Sequence, residues 1–280
     1  MYQRNGCSLL VTSVLCTLIP VCLAARDRDD KAPRLPFGTS ERLVYESEFS
    51  KLMLRGIDIA EVRLTAEHVP PHEEEGGKVR SSTTRLRLTS EVSAKGWLIK
   101  LLGLNFNYRI ESLVEPSSFL VLRTTTLDEQ GKRLRRSETI FDHAAGKVIW
   151  TEHDLSAPAR RPRVIASPLD GAVYDVVSAI YFLRTQALTP GKSFELPVSD
   201  SGKVYRIRVR VVEMEPVKNV FGNVSAARVE ADVFGKERLL DGEGRMSIWF
   251  TDDAHRIPVQ ARFSSEMGTL NLKLKSVTRD

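Results

Sequence analysis

From residue 41 onward the sequence predicts a mainly β domain: a large antiparallel sheet, curved or partly closed into a barrel, with one helix packed against it. Three observations carry this. Apolar and polar residues alternate through most of the chain, the period of a strand with one buried face. Short turn signals such as His143-Ala144-Ala145-Gly146 and Ser199-Asp200-Ser201-Gly202 interrupt the alternation at regular intervals, the pattern of a meander. One segment, 170–186, switches clearly to apolar residues three and four apart.

The elements follow in order. Residues 1–5 carry one basic side chain, Arg4, and 8–21 are apolar. Cys22-Leu23-Ala24 then places small residues where a signal peptidase reads, so 1–24 are expected to be a cleaved signal peptide. The apolar run is short for a membrane span, and no transmembrane segment is expected in the mature chain. Val21 before Cys22 and Leu15 before Cys16 are too bulky for the usual lipidation site, which argues against a lipid anchor at Cys22. Residues 25–40 read as a flexible linker, charged over 26–30 and then marked by Pro33, Pro36 and Gly38. The single β-rich domain is expected over 41–280.

Leu43-Val44-Tyr45 opens the first strand. Ile57 and Ile59, then Val62 and Leu64, occupy apolar positions, and the change of phase predicts a bulge or break near Ala60. Residues 69–77 hold two prolines, three glutamates and two glycines and make a hairpin tip or longer loop. Extended structure resumes over 78–93, then over 105–115, 119–128, 133–141 and 147–153. The stretch 97–104, Trp-Leu-Ile-Lys-Leu-Leu-Gly-Leu, is apolar on most sides and suits a short helix.

The main helix is expected over 170–186, with Val173, Val176, Val177, Ile180, Tyr181 and Leu183 on one stripe. Asp170 is placed to cap its start, and Pro190-Gly191 stops the chain beyond its end. Strands return over 194–198, 204–215, 224–234, 245–251, 257–265 and 269–277. The turn spacing gives about twelve strands in all.

Composition removes several kinds of chemistry. The three cysteines, Cys7, Cys16 and Cys22, lie within the signal, so the mature chain has no disulfide, thiolate metal site or cysteine nucleophile. The full sequence's net charge of +5 is mild for 280 residues and does not suit a nucleic-acid binder, and 7% aromatic content gives no stacking platform. Arg206, Arg208 and Arg210 define one basic strand face, and Arg133, Arg135, Arg136, Arg160, Arg161 and Arg163 add positive density. The simplest reading is a solvated face with acidic cross-strand partners; the functional one is a surface for an anionic envelope component.

No catalytic constellation emerges. His68 and His72 neighbour three glutamates, but Pro70-Pro71 lies between them, so they do not share a helix face. Asp252, Asp253 and His255 fall within one turn, where Asp serves nearby backbone N–H groups. Asp142-His143 and His153-Asp154 are strand neighbours and point to opposite faces. There is no Gly-x-Ser-x-Gly elbow. Ser178 beside Ala179 suits tight packing. No catalytic residue, metal site or cofactor is assigned.

Two segments carry a family resemblance: Asp175-Val176-Val177-Ser178-Ala179-Ile180-Tyr181-Phe182-Leu183-Arg184, and Ile248-Trp249-Phe250-Thr251-Asp252-Asp253-Ala254-His255-Arg256-Ile257-Pro258-Val259. With Leu43-Val44-Tyr45 at the start, and Gly191 and Gly222, the chain resembles the bacterial exported domain-of-unknown-function family 3108. The resemblance covers roughly 41–277 and implies a β-rich envelope protein. It carries no catalytic residue with it.

The resulting expectation is an exported protein of the periplasm or cell envelope, non-catalytic, that binds an apolar or amphipathic ligand or serves as a structural partner. A lipid, glycan or lipoprotein of the envelope is the expected partner. Candidate ligand contacts are Arg184, Tyr181 and Trp249. The rival is a hydrolase on cell-wall or lipid substrates, with a metal at His68 and His72 or at Asp253 and His255. Arg184 has a structural reading too. Asp175 is too far along the helix to reach it, so its acidic partner should lie on a strand.

Overall fold

The computed structural model describes residues 35–52, 54–70, 84–96 and 105–280. The expected signal peptide with Cys22, His72 and most of its loop, and the 97–104 segment lie outside the described residues.

The strands are β1 (Ser40–Lys51), β2 (Leu54–Val69), β3 (Arg85–Ala94), β4 (Phe106–Val114), β5 (Val121–Gln130), β6 (Arg133–Asp142), β7 (Lys147–Asp154) and β8 (Arg163–Pro168). Helix α1 (Val176–Thr185) follows. Then come β9 (Ser193–Asp200), β10 (Lys203–Asn219), β11 (Gly222–Ala231), β12 (Gly244–Thr251), β13 (Pro258–Ser265) and β14 (Gly268–Arg279). They form one 14-stranded sheet in the order β8-β7-β6-β5-β4-β3-β2-β1-β14-β13-β12-β11-β10-β9.

The first and last strands pair antiparallel at the centre, Leu43 opposite Val277. Each half then runs outward as a meander, and α1 lies on the connection between the two edges, β8 and β9. The sheet curls until those edges approach. Ser167 Oγ donates to the Gly202 carbonyl at 2.6 Å. Gly202 has φ +78°, and a Cβ there would stand 2.7 Å from Ile165 Cβ and 2.9 Å from Trp150 Cβ. Only glycine lets the β9–β10 turn come this close to β7 and β8. No ladder joins the two edges, so the barrel is not closed. The chain before the helix covers part of β9: Tyr174 N donates to Pro197 O at 2.9 Å, and Ser199 N to Tyr174 O at 2.7 Å.

The predicted break in β2 is a bulge. Ser47 pairs with Ala60 and Glu48 with Asp58, which leaves Ile59 as the extra residue. β8 goes beyond the strands read from sequence. It is a short edge strand ending in Pro168, with Val164 60% exposed, so it lacks the alternation of a half-buried strand.

The helix starts later than expected, and Asp175 caps it in place of Asp170. Asp175 Oδ1 accepts from the N–H of Val177 at 2.9 Å and of Ser178 at 3.1 Å, while Ser178 Oγ accepts from Asp175 N at 2.9 Å. This is a reciprocal capping box. Residues before it are drawn into extended backbone by the pairing of Tyr174 with β9. Asp170 is exposed, 3.9 Å from Arg206. The reading of 25–40 as linker also stops short, because Phe37 is buried in the core and β1 already begins at Ser40.

Inward positions of β1–β3, such as Leu43, Leu64 and Leu88, are buried with Tyr181 and Leu183 of α1 in one core. The outward face carries cross-strand ion pairs, among them Lys95–Glu61 at 3.0 Å, Arg109–Glu91 at 2.6 Å and Lys273–Glu48 at 2.8 Å. The basic face of β10 follows the same rule: Arg206 meets Glu195 at 2.9 Å and Arg210 meets Glu230 at 3.6 Å. Such exposed pairs contribute about 0–1 kcal/mol each and chiefly keep this face wet.

Candidate functional site: two cavities inside the curved sheet

The period of two that makes β9, β10 and β12 strands also aims one set of side chains inward. Leu196 and Val198, Ile207 and Val209, and Ile248 with Met246 form a concave apolar wall. Helix α1 faces that wall with Val176, Ala179, Ile180 and Leu183. Because Ala179 on the helix and Ala231 on β11 are small, the two surfaces leave a cavity of about 310 Å³. Leu239 and Leu240, from the β11–β12 connection, stand at its border. That connection is held by Gly235 N donating to Leu240 O at 3.0 Å and Leu240 N to Val233 O at 2.8 Å. Leu240 remains 39% exposed, an apolar side chain at the edge of an apolar space.

A second cavity, of about 120 Å³, lies against the N-terminal half of the sheet and is polar. Thr124, Thr126 and Asp128 of β5 face it, opposite Thr139, Ser137 and Arg135 of β6 in register. Val176 and Asp200 border both cavities, which therefore lie side by side at the start of α1. Burial pushes the Asp200 carboxyl above its ordinary range, against the pull of a hydrogen bond from Ser201. Burial, then the charges of Asp200 and Asp128, pushes the Tyr108 hydroxyl up to about 12. In both groups burial disfavours the ionised form.

The other end of α1 is a dry joint. Arg184 and Glu41 are both fully buried. Arg184 Nη1 and Nη2 donate to the two Glu41 oxygens at 2.5 and 2.9 Å, and Arg279 Nε adds a third bond at 2.8 Å. Arg184 Nε and Nη2 also donate to the His255 carbonyl, at 3.2 and 3.0 Å. The guanidinium lies 5.2 Å from the centroids of both Phe37 and Tyr181, and those rings meet edge to face at 5.1 Å. The strand partner expected for Arg184 is therefore Glu41 of β1. The Tyr181 hydroxyl is buried without a hydrogen-bond partner among the described residues. Burial, followed by the neighbouring Glu41 charge and against the Arg184 cation, raises its pKa well above the ordinary value.

The turn after β12 serves this joint. Asp253 Oδ1 accepts from Thr251 Oγ1 and from the amides of His255 and Arg256, each at 2.9 Å. Burial works to raise the Asp253 carboxyl, but these hydrogen bonds outweigh it and hold the pKa below its ordinary value. His255 Nδ1 lies 2.9 Å from the Pro36 carbonyl. Elsewhere, His68 Nδ1 lies 3.3 Å from Thr39 O, and His143 Nε2 lies 2.7 Å from Val121 O. Among the described residues no group of three or more His, Cys, Asp or Glu is disposed to hold a metal.

Of the three expected ligand contacts, the structure brings two together. Tyr181 and Arg184 share the dry joint, and Trp249 sits apart, buried at 6% exposure, its Nε1 donating to Glu215 and its ring 5.5 Å from the Arg262 guanidinium. None of the three borders the apolar cavity. The residues that do are ordinary inward strand positions. The available signal in the sequence was Ala179, a small residue on the apolar helix stripe.

The family described as "Protein of unknown function (DUF3108)" matches residues 45–275. No curated protein matches the chain. Among solved structures, the chain is similar to one titled "Crystal Structure of Beta-barrel-like Protein of Domain of Unknown Function DUF1849 from Brucella abortus". The TM-score is 0.53 at 10% identity, over 86% of this chain and 98% of that one, a likeness of fold alone. Among the described residues no helix is long and apolar enough to cross a membrane.

Proposed function

Because the chain belongs to the DUF3108 family, which brings no activity with it, we propose a function from its own interior: it is an exported cell-envelope protein that holds an apolar or amphipathic ligand between α1 and the β9–β13 wall, without catalysing a reaction. The observation that carries this reading is the 310 Å³ cavity lined by Leu, Val, Ile, Ala, Met and Phe, with Asp200 as the one polar residue at its border. An apolar cavity of about 150 Å³ is enough to hold a benzene ring. This one has room for a segment of acyl chain, and its size falls within the usual range for ligand sites.

Export is supported by the signal-like residues 1–24. The non-catalytic reading is supported by the use of Asp253 and His255 in the joint, where their polar atoms already serve Thr251, Arg256 and Pro36. The ligand class that fits is a single-chain lipid or the acyl part of an envelope lipid or lipoprotein.

Native mass spectrometry of protein purified from its own host, followed by titration with a fluorescent fatty acid, tests this. A bound lipid mass, or saturable uptake of one probe per chain, is the expected result. A clean apo mass together with no saturable uptake would rule the reading out.

A further inference from the structure

The polar cavity is bordered by buried polar atoms that have no partner among the described residues. Ser199 is 6% exposed and borders the cavity, yet its Oγ has no hydrogen-bond partner among the described residues. Asp128 Oδ1 and Arg135 Nε, a cross-strand pair bordering the same space, are also buried without one. The rest of each group is engaged: Asp128 Oδ2 accepts from Arg133 at 2.5 Å, and Arg135 Nη1 lies 3.5 Å from Glu152. Buried polar atoms are nearly always satisfied, and a set left open in one cavity points to something that satisfies them.

The open set has a definite chemistry. It comprises one carboxylate acceptor, one guanidinium donor and one hydroxyl, next to the hydroxyls of Thr126 and Ser137, which face each other in register. Such a mixture suits a group that both donates and accepts at several points, which hydroxyl groups do. The charge around it disfavours an anion: Asp128, Glu152, Asp175 and Asp200 border the cavity against Arg135. A sulfate or phosphate there would meet more carboxylates than cations.

We propose that this cavity is the headgroup site of the ligand whose chain occupies the apolar cavity, and that it takes an uncharged polyhydroxyl group of the sugar or glycerol type. The proposal rests on the reading of the apolar cavity given above. The two sites lie side by side, with Val176 and Asp200 bordering both, and the proposal places one molecule with its chain against α1 and Ile248 and its head among Ser199, Asp128 and Arg135.

The test is a calorimetric titration of the folded protein with octyl probes of one chain length: octanol, octyl glucoside, 1-O-octylglycerol, octyl sulfate and octyltrimethylammonium. The glucoside or the glyceryl ether should bind at least about tenfold more tightly than octanol, the effect of a few net hydrogen bonds. Which of the two is tighter identifies the source of the head. Ser199→Ala removes an unpartnered hydroxyl and so leaves the fold intact; with Thr126→Val it should erase that advantage and leave octanol affinity unchanged. Equal binding of all probes, or preference for the sulfate or the ammonium, overturns the headgroup site while the apolar site stands. Binding by none of them overturns both.

Discussion

Arg184, in the last turn of α1, and Glu41, near the start of β1, form a fully buried two-point ion pair across 143 residues of sequence. Arg279 from the last strand and the His255 carbonyl complete the shell. The pair fixes the C-terminal end of the helix to the strands where the two halves of the sheet meet. A helix held this way keeps its Val176, Ala179 and Ile180 side at a set distance from the β9–β13 wall, which gives the apolar cavity its width.

Removing Arg184 leaves a buried carboxylate without its main cation. Breaking such a pair costs about 3–5 kcal/mol, which for a chain of this size lowers Tm by on the order of 10 °C. Differential scanning calorimetry of Arg184→Ala checks it. A variant that melts like wild type but loses bound ligand would place Arg184 in a binding site.

Tyr181 behaves oppositely. Its hydroxyl is buried and unpartnered, and taking an unsatisfied group out of a core costs nothing in hydrogen bonding. Tyr181→Phe should melt at or above the wild-type temperature and take up ligand normally. A lower Tm, or lost uptake, would show that the hydroxyl has a partner in solution.

The cap of α1 is testable alone. Asp175 accepts from two helix amides, from Ser178 Oγ at 2.8 Å and from Thr124 Oγ1 at 3.2 Å. Replacing an N-cap costs about 0.5–2 kcal/mol. Asp175→Ala should therefore lower Tm by several degrees, whereas Asp170→Ala, at the exposed position first expected to cap, should leave it unchanged. Equal effects of the two would contradict the assigned start of the helix.

Asp200 gives a pH dependence with a definite sign. Its folded pKa is raised by burial above the unfolded value. The native state then binds the proton more tightly, so the associated stability is present at low pH and is lost as pH rises through the folded pKa. Asp200→Asn is uncharged throughout. It should melt above wild type at neutral pH and lose this part of the pH dependence. Thermal melts across pH 3 to 8, on the order of the range in which carboxylates titrate, measure it. A lower Tm for the variant at neutral pH would mean that the ionised carboxylate is stabilised in the fold.

Much of this was legible in the sequence, and the exceptions share physical reasons. The alternation at Leu43-Val44-Tyr45 and along β10, and the phase slip that marks the Ile59 bulge, are local signals set by a half-buried sheet. β8 is a short exposed edge and carries no such signal. Phe37 sits among prolines and a glycine, which read as linker, yet its ring packs on Tyr181. That Arg184 needed a strand acid could be argued from its place on the helix. That the acid is Glu41 depends on a closure over most of the chain. The polar cavity was hidden for another reason. Thr124, Thr126 and Asp128 alternate as a strand should, but polar residues are ordinarily assigned to the wet face, and here they face inward.

The most direct measurement for the central claim is fatty-acid binding to variants that fill the apolar cavity. Ala179→Phe and Ala231→Phe place a ring in that space without disturbing the Arg184–Glu41 joint or the polar cavity. With folding verified by an unchanged β-type circular dichroism spectrum, each should lose at least about tenfold in affinity for a fluorescent fatty acid, a difference of roughly 1.4 kcal/mol. Wild-type affinity in both folded variants would mean that the chain does not lie between α1 and the β9–β13 wall, and would contradict the account.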